Sequence, residues 1–177
     1  MSRARIINQT KLLLKSSLME LLTEKPLSKI TVKELCEKAD INRTTYYKYY
    51  LDIYDQFAQI ENGIISDMLK ELDAITTEHG NDRENRLLVI TKSLEYIEHH
   101  KDEFKILLER SEFHFQHKLL SVIGEKMFEK LNAPNRTAAI HYIYIVNGSY
   151  GVIREWLKGN LPIDTITLAK KLDAYIR

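Results

Sequence analysis

Proline occurs at only three positions of this 177-residue chain, 26, 134 and 162, and between them apolar residues recur at helical spacing. Proline removes a backbone donor and breaks helix interiors, so its scarcity leaves long uninterrupted runs. Their period of about 3.6 rather than 2 makes the chain all-α, with no convincing strand. The pattern predicts a first helix over 6–24, with Ile6, Leu13, Leu14, Ser17, Leu18, Leu21 and Leu22 on one face, ended by Lys25-Pro26-Leu27-Ser28. A long helix follows over 52–76, then a polar break at His79-Gly80-Asn81-Asp82 and helices near 84–101, 102–110, 115–131, 137–158 and 164–176. No repeat, low-complexity segment or flexible linker intervenes. The helix from 52 is therefore expected to join an N-terminal domain, 1–51, rigidly to a helical domain, 52–177.

The formal net charge of +1 conceals an asymmetry. Residues 1–50 carry 10 Lys+Arg against 5 Asp+Glu, a balance of +5, and the remainder carries 16 against 20, a balance of −4. Such an excess attracts a polyanion, but it also fits an ordinary solvated helix surface. The lone Cys36 cannot form an internal bridge and falls on an apolar helix face, which fits a reduced compartment. The N-terminus lacks the apolar run of a secretory signal. The apolar-rich stretch 138–157 is interrupted by His141, Asn147, Arg154 and Glu155, against a membrane span. The expectation is a soluble, cytoplasmic protein.

The most informative stretch is Ile30–Tyr50, which reads as two short helices meeting at a turn. Thr31 can cap the first helix while Glu34 reaches back to complete a capping box, and Ile30 with Leu35 can form the hydrophobic staple. Val32, Leu35, Cys36 and Ala39 share the buried side, Ile41 plugs the angle, and Asn42 caps the second helix, Arg43–Tyr50. Arg43, Thr44 and Thr45 occupy its first turn, the part that meets base edges when such a helix enters a major groove. Arginine can bond guanine bidentately, and threonine can meet a thymine methyl or a base acceptor. Tyr47, Lys48 and Tyr49 supply hydroxyl and ammonium groups suited to phosphates, while Tyr46 and Tyr50, four apart, suit the inner face.

The run Ile-Thr-Val-Lys-Glu-Leu-Cys-Glu-Lys-Ala-Asp-Ile-Asn-Arg-Thr-Thr-Tyr-Tyr-Lys-Tyr-Tyr-Leu-Asp, residues 30–52, resembles the signature of the TetR family of transcriptional regulators. The resemblance covers about 50 N-terminal residues. It implies a three-helix DNA-binding head with a helix-turn-helix, followed by a helical-bundle dimerisation and effector domain. It further implies that Thr44, Thr45 and Lys48 approach bases, that Thr31, Tyr47 and Tyr49 grip phosphates, and that Arg43 stands at a variable readout position. Three residues depart from the pattern. Asp40 stands where a turn glycine is usual, Ile53 replaces a phosphate-anchoring lysine at the start of the fourth helix, and Gln56 replaces an apolar residue. Loss of one phosphate contact would weaken binding and lower its salt dependence without abolishing it.

The helix over 138–157 is apolar on nearly all sides, so it is either fully internal to a monomer or shared with a second chain. A two-fold operator calls for a two-fold protein, which favours a homodimer. The candidate interface residues are Ile145, Gly148, Val152 and Trp156 on this helix, with Ile166 and Leu172 on the last; Gly148 and Gly151 would let a neighbouring backbone approach. The run 147–162 resembles a short-bodied TetR subgroup that includes regulators of dihydroxyacetone kinase genes, some of which work through a partner protein. Candidate effector-pocket residues are Tyr96, Phe104, Phe113, His141 and Tyr144, although aromatics at helical spacing equally serve as core. His114 and His117 have metal-like spacing but lack companions, and His99 and His100, adjacent on a helix, should not share a face.

The expected function is a sequence-specific DNA-binding regulator, a repressor by default. It would act as a homodimer on a palindromic double-stranded operator, with a small-molecule effector or partner protein setting the spacing of its recognition helices. The alternative is a co-regulator that grips DNA weakly and works through a partner protein. No phosphate-cradling glycine loop, nucleophile elbow or metal motif points to an enzyme, and no cofactor, metal or catalytic residue is expected.

Overall fold

The structure is a computed structural model that describes residues 3–73, 82–110, 115–119, 121 and 136–176. Among these residues all regular structure is helical. The helices are α1 (Arg3–Glu24), α2 (Val32–Ala39), α3 (Arg43–Tyr46), α4 (Ile53–Asp73), α5 (Asp82–His99), α6 (Lys101–Arg110), α7 (Arg136–Leu157) and α8 (Thr165–Tyr175), with a 3-10 turn at Leu27–Lys29 and a helical stretch at 115–119. The polar break expected at 79–81, residues 74–76 of the long helix, and most of the helix expected at 115–131 lie outside the described residues.

Two compact units divide the chain, residues 1–63 and 64–177, and the division falls within α4 rather than at its start. In the first unit, α1 buries Thr10, Leu14, Ser17, Leu18, Met19, Leu21 and Leu22. Ile6 and Leu13, expected on that face, are 51% and 43% exposed. Burial begins only at Thr10, one turn beyond Ile6, and Leu13 stands about 100° around the helix from Leu14. The first half of α4 adds Ile53, Phe57 and Ile60 to the core. Gln56 is fully buried there, and its Nε2 donates to the Leu14 carbonyl at 2.9 Å. The departure at 56 thus ties α4 to α1 by a side-chain hydrogen bond.

Ile53 also has a structural account. It is buried, so this position supplies core packing where the family pattern carries a cation. Asp52 and Asp55 start α4: Asp52 Oδ1 accepts from the Asp55 amide at 2.8 Å, and Asp55 Oδ2 accepts from the Leu51 amide at 2.9 Å. Carboxylates at a helix N-terminus satisfy orphan amides and oppose the positive end of the dipole.

In the second unit, α5 and α8 pack through Ile90, Leu94, Leu168, Ala169 and Leu172, with Leu87, Val152, Ile153, Trp156 and Ile176 packed around them. Two polar ties fix the register of this pair. Arg86 Nε donates to Asp173 Oδ1 at 2.7 Å, and the Thr165 hydroxyl donates to the Glu98 carboxylate. The Trp156 indole donates to the Ile163 carbonyl at 3.0 Å, and Gly159, in a left-handed conformation at φ 85°, ends α7. Tyr96 is buried and donates to the Ile64 carbonyl at 3.2 Å, its hydroxyl pushed up to about 12 by burial.

Candidate nucleic-acid interface

The corner between α2 and α3 is built from short-range bonds. Thr31, extended at φ −108°, accepts on its hydroxyl from the Glu34 amide at 3.2 Å and so caps α2. The second half of the expected capping box is diverted: the Glu34 carboxylate pairs with Lys25 instead of reaching back. Ile30, Leu35, Cys36 and Ala39 are buried as expected, and Val32 and Ile41 are half-buried. Asp40 takes the left-handed conformation, φ 53° and ψ 42°, at the position of the family's turn glycine. There the Ile41 amide donates to the Cys36 carbonyl at 2.9 Å, closing the helix end, and the short polar aspartate side chain tolerates this geometry better than most residues. Asn42 then caps α3, accepting from the Thr44 amide at 2.8 Å.

The second helix is shorter than the sequence predicts. Regular α-helix ends at Tyr46, and Tyr47–Tyr49 continue as tighter turns in which the Lys48 amide donates to the Thr45 carbonyl at 3.2 Å and the Tyr49 amide to the Tyr46 carbonyl at 2.9 Å. Three-residue bonds overwind the backbone, so the C-terminal half of this segment depends on side-chain packing for its direction.

That packing sorts the tyrosines. Tyr46 and Tyr50 point inward, both buried, with ring centroids 5.4 Å apart. Burial pushes both phenols above their ordinary value, helped for Tyr46 by Asp52 and for Tyr50 by Asp55. Thr31, Arg43, Thr44, Tyr47 and Lys48 are exposed, Tyr47 at 57%, and Thr45 and Tyr49 are half-buried. The seven residues singled out from the sequence therefore lie on the capped helix pair and its following turn, and none of them is consumed by the core.

Two further side chains reach this ridge from other helices. Lys11 of α1 holds its Nζ 5.7 Å from the Tyr49 ring centroid and 5.9 Å from that of Tyr50. Gln59 of α4 donates to the Tyr49 carbonyl at 3.4 Å. Neither is signalled locally in the sequence, because Gln59 meets a partner ten residues away and Lys11 meets rings on a different helix-turn segment. Cys36 lines a surface groove with Lys33, Glu37, Asp40, Ile41, Asn42 and Arg43. Burial raises its thiol above the ordinary value, with Arg43 opposing and Glu37 reinforcing.

The candidate residues of the body differ in exposure. Tyr96 and Phe104 are buried with their rings edge to face at 6.1 Å, and Phe104 meets Phe115 at 5.6 Å. His141 is exposed and Tyr144 is 75% exposed, whereas Tyr96 and Phe104 are buried; Phe113 and His114 lie outside the described residues. Of the candidate interface residues, Ile145 and Leu172 are buried, Val152 and Trp156 partly so, and Gly148 and Ile166 are exposed. A Cβ added at Gly148 or Gly151 would meet no described atom within 4 Å, so the close approach expected there is not made within the described chain. His99 and His100 do share a contact, with ring centroids 5.2 Å apart in an edge-to-face arrangement. Among the described residues no group of three or more His, Cys, Asp or Glu could hold a metal ion, and no helix is long and apolar enough to cross a membrane.

Known proteins share this arrangement. Over 94% of both chains, the fold superposes with a TM-score of 0.70 on the fatty acid degradation regulator FadR from Bacillus halodurans, at 13% identity. A TetR-family transcriptional regulator from Bordetella parapertussis 12822 follows at 0.66, with 10% identity and 94% and 93% coverage. In sequence, the chain is 24% identical over 168 residues to the uncharacterized HTH-type transcriptional regulator YxbF of Bacillus subtilis (strain 168). That match takes in 89% of this chain but 42% of the relative, so the chain spans less than half of that protein's length. The family model TetR_C_8, described as the C-terminal region of transcriptional regulators, matches residues 84–177, more than half of the chain. The head's helix-turn-helix and the matched body together make this chain a member of the TetR family of transcriptional regulators.

Proposed function

We propose that the chain is a sequence-specific DNA-binding repressor that acts in the cytoplasm as a homodimer on a palindromic operator. One observation carries the reading: Thr31, Arg43, Thr44, Tyr47 and Lys48 form an exposed polar ridge on a helix pair whose caps, left-handed corner and inward tyrosines hold it in shape. In this reading Arg43, Thr44 and Thr45 read base edges from the first turn of α3, while Thr31, Tyr47, Lys48 and Tyr49 hold the sugar-phosphate backbone. The cationic balance of residues 1–50 supplies the long-range attraction.

Homodimerisation is supported by apolar side chains that the described chain leaves uncovered on α7 and α8. Ile140, Ile143 and Tyr144 of α7 and Ile166 and Tyr175 of α8 are all more than half exposed. Beside them Gly148 leaves room for a neighbouring backbone. The interface we propose is therefore centred on Ile140, Ile143, Tyr144, Gly148 and Ile166, and Ile145 and Leu172 support it from within the chain's own core. An effector, a small molecule or a partner protein, that binds one arrangement of the body better than another would shift the separation of the two recognition segments. Half-sites have fixed spacing, so a small change costs affinity.

Selection of bound sequences from random duplex DNA, with the full chain and with Arg43→Ala and Tyr47→Ala, tests the assignment. Arg43→Ala is expected to relax preference at particular base pairs, and Tyr47→Ala to weaken all sequences alike. Failure of the unaltered chain to enrich any sequence, or indifference of binding to both substitutions, would refute it.

A further inference from the structure

The turn that follows α3 is held from both sides. Its backbone has left the α-helix at Tyr46, so helical geometry does not fix the direction of Tyr49. From α4, Gln59 donates to the Tyr49 carbonyl at 3.4 Å and to both Asp55 carboxylate oxygens at 3.2 Å. From α1, the exposed Lys11 places one ammonium within 6 Å of two ring centroids, Tyr49 at 5.7 Å and Tyr50 at 5.9 Å. Those rings stand 6.4 Å apart at 66°, and Tyr50 is buried against Tyr46. The anchored Tyr50 and the half-buried Tyr49 thus share one cation, which attracts the negative face of each ring.

We infer that Lys11 is a positioning residue of the DNA grip, acting through Tyr49. Its cation–π bridge links α1 to the turn and holds the Tyr49 ring where its hydroxyl meets a backbone phosphate. The inference rests on the reading of Tyr49 as a phosphate contact. It differs from a direct role for the ammonium, in which Lys11 would itself neutralise a phosphate. The two roles separate experimentally because a neutral hydroxyl releases no counterion and an ammonium does.

The test is the affinity of the full chain for the duplex it selects, measured across a salt series for the unaltered protein, Lys11→Met, Lys11→Arg, Tyr49→Phe and the Lys11→Met/Tyr49→Phe double variant. Lys11→Met is expected to weaken binding about two- to fivefold, the scale of one exposed cation–π contact, and Lys11→Arg to restore it. In the Tyr49→Phe background, Lys11→Met should cost nothing further, and its salt slope should match that of the unaltered protein. Full additivity of the two losses overturns the inference, as does a slope reduced by about one in Lys11→Met, the mark of a lost phosphate contact. An unaltered chain that selects no duplex refutes the parent reading instead, whereas a selected duplex that Lys11→Met binds unchanged refutes this inference alone.

Discussion

The corner of the head closes its hydrogen bonds between near neighbours in sequence: Thr31 with the Glu34 amide, Cys36 with the Ile41 amide, Asn42 with the Thr44 amide. The body is held by ties between distant residues, Tyr96 to Ile64, Thr165 to Glu98 and Arg86 to Asp173, separated by 32, 67 and 87 positions. At this corner the closing hydrogen bonds run between residues two to five apart, so its geometry is nearly an outcome of local chemistry. In the body, exposure is decided by which helices meet.

The sharpest way to break that contrast is to remove a locally packed ring from the head and a distant tie from the body and compare the losses. Tyr46 is fully buried, with no described hydrogen-bond partner for its hydroxyl. Tyr46→Ala should cost about 4 kcal/mol in urea unfolding, as for other large aromatic truncations, whereas Tyr46→Phe should stay within about 1 kcal/mol. A Phe variant as unstable as the Ala variant would mean that the hydroxyl, rather than the ring, carries the site. Arg86→Ala strands Asp173, which is 3% exposed, and should destabilise the body by about 3 kcal/mol. Arg83, whose Nε lies 3.7 Å from the other carboxylate oxygen, limits the loss. Arg86→Ala/Asp173→Leu should recover much of it, and a double variant no better than the single would show that the pair is not the tie.

Most of the head was legible because its signals are local. The caps at Thr31 and Asn42, the left-handed corner at Asp40 and the inward pair Tyr46 and Tyr50 each follow from a residue type at a fixed offset. The contacts that the local pattern does not carry are set by partners outside it: Glu34 pairs with Lys25, Gln56 hangs on the Leu14 carbonyl, and Lys11 lies over the tyrosine rings. In the body, helix positions were legible from periodicity, but the exposed side of each helix was not. Ile145 turns inward while Ile140 and Tyr144 of the same helix turn outward, a distinction that an all-round apolar helix does not encode.

Two smaller effects sharpen the comparison. Asp40→Val puts a β-branched residue at φ 53° and should cost about 2 kcal/mol, while Asp40→Gly should be neutral or stabilising. A valine tolerated there would show that the corner does not depend on left-handed geometry. In the body a strong local signal is the cap of α8, where Asp164 accepts from the Thr167 amide at 2.9 Å and the Thr167 hydroxyl at 2.6 Å. The hydroxyl, then the amide, hold the Asp164 carboxyl below its ordinary value. Its folded value therefore lies below its unfolded one, so the contribution is present above the unfolded value and lost as pH falls through the folded value. Amide exchange of Thr167 should quicken in that acid window, and an Asp164→Ala variant should lack the pH-dependent step.

The most direct measurement is amide hydrogen exchange of the full chain with and without the duplex it selects, resolved by peptide. Bound DNA is expected to slow exchange across residues 31–50, with the α8 peptides unchanged or affected less. Protection confined to the body, or none anywhere despite tight binding, would contradict the assignment of the exposed ridge as the surface that meets DNA.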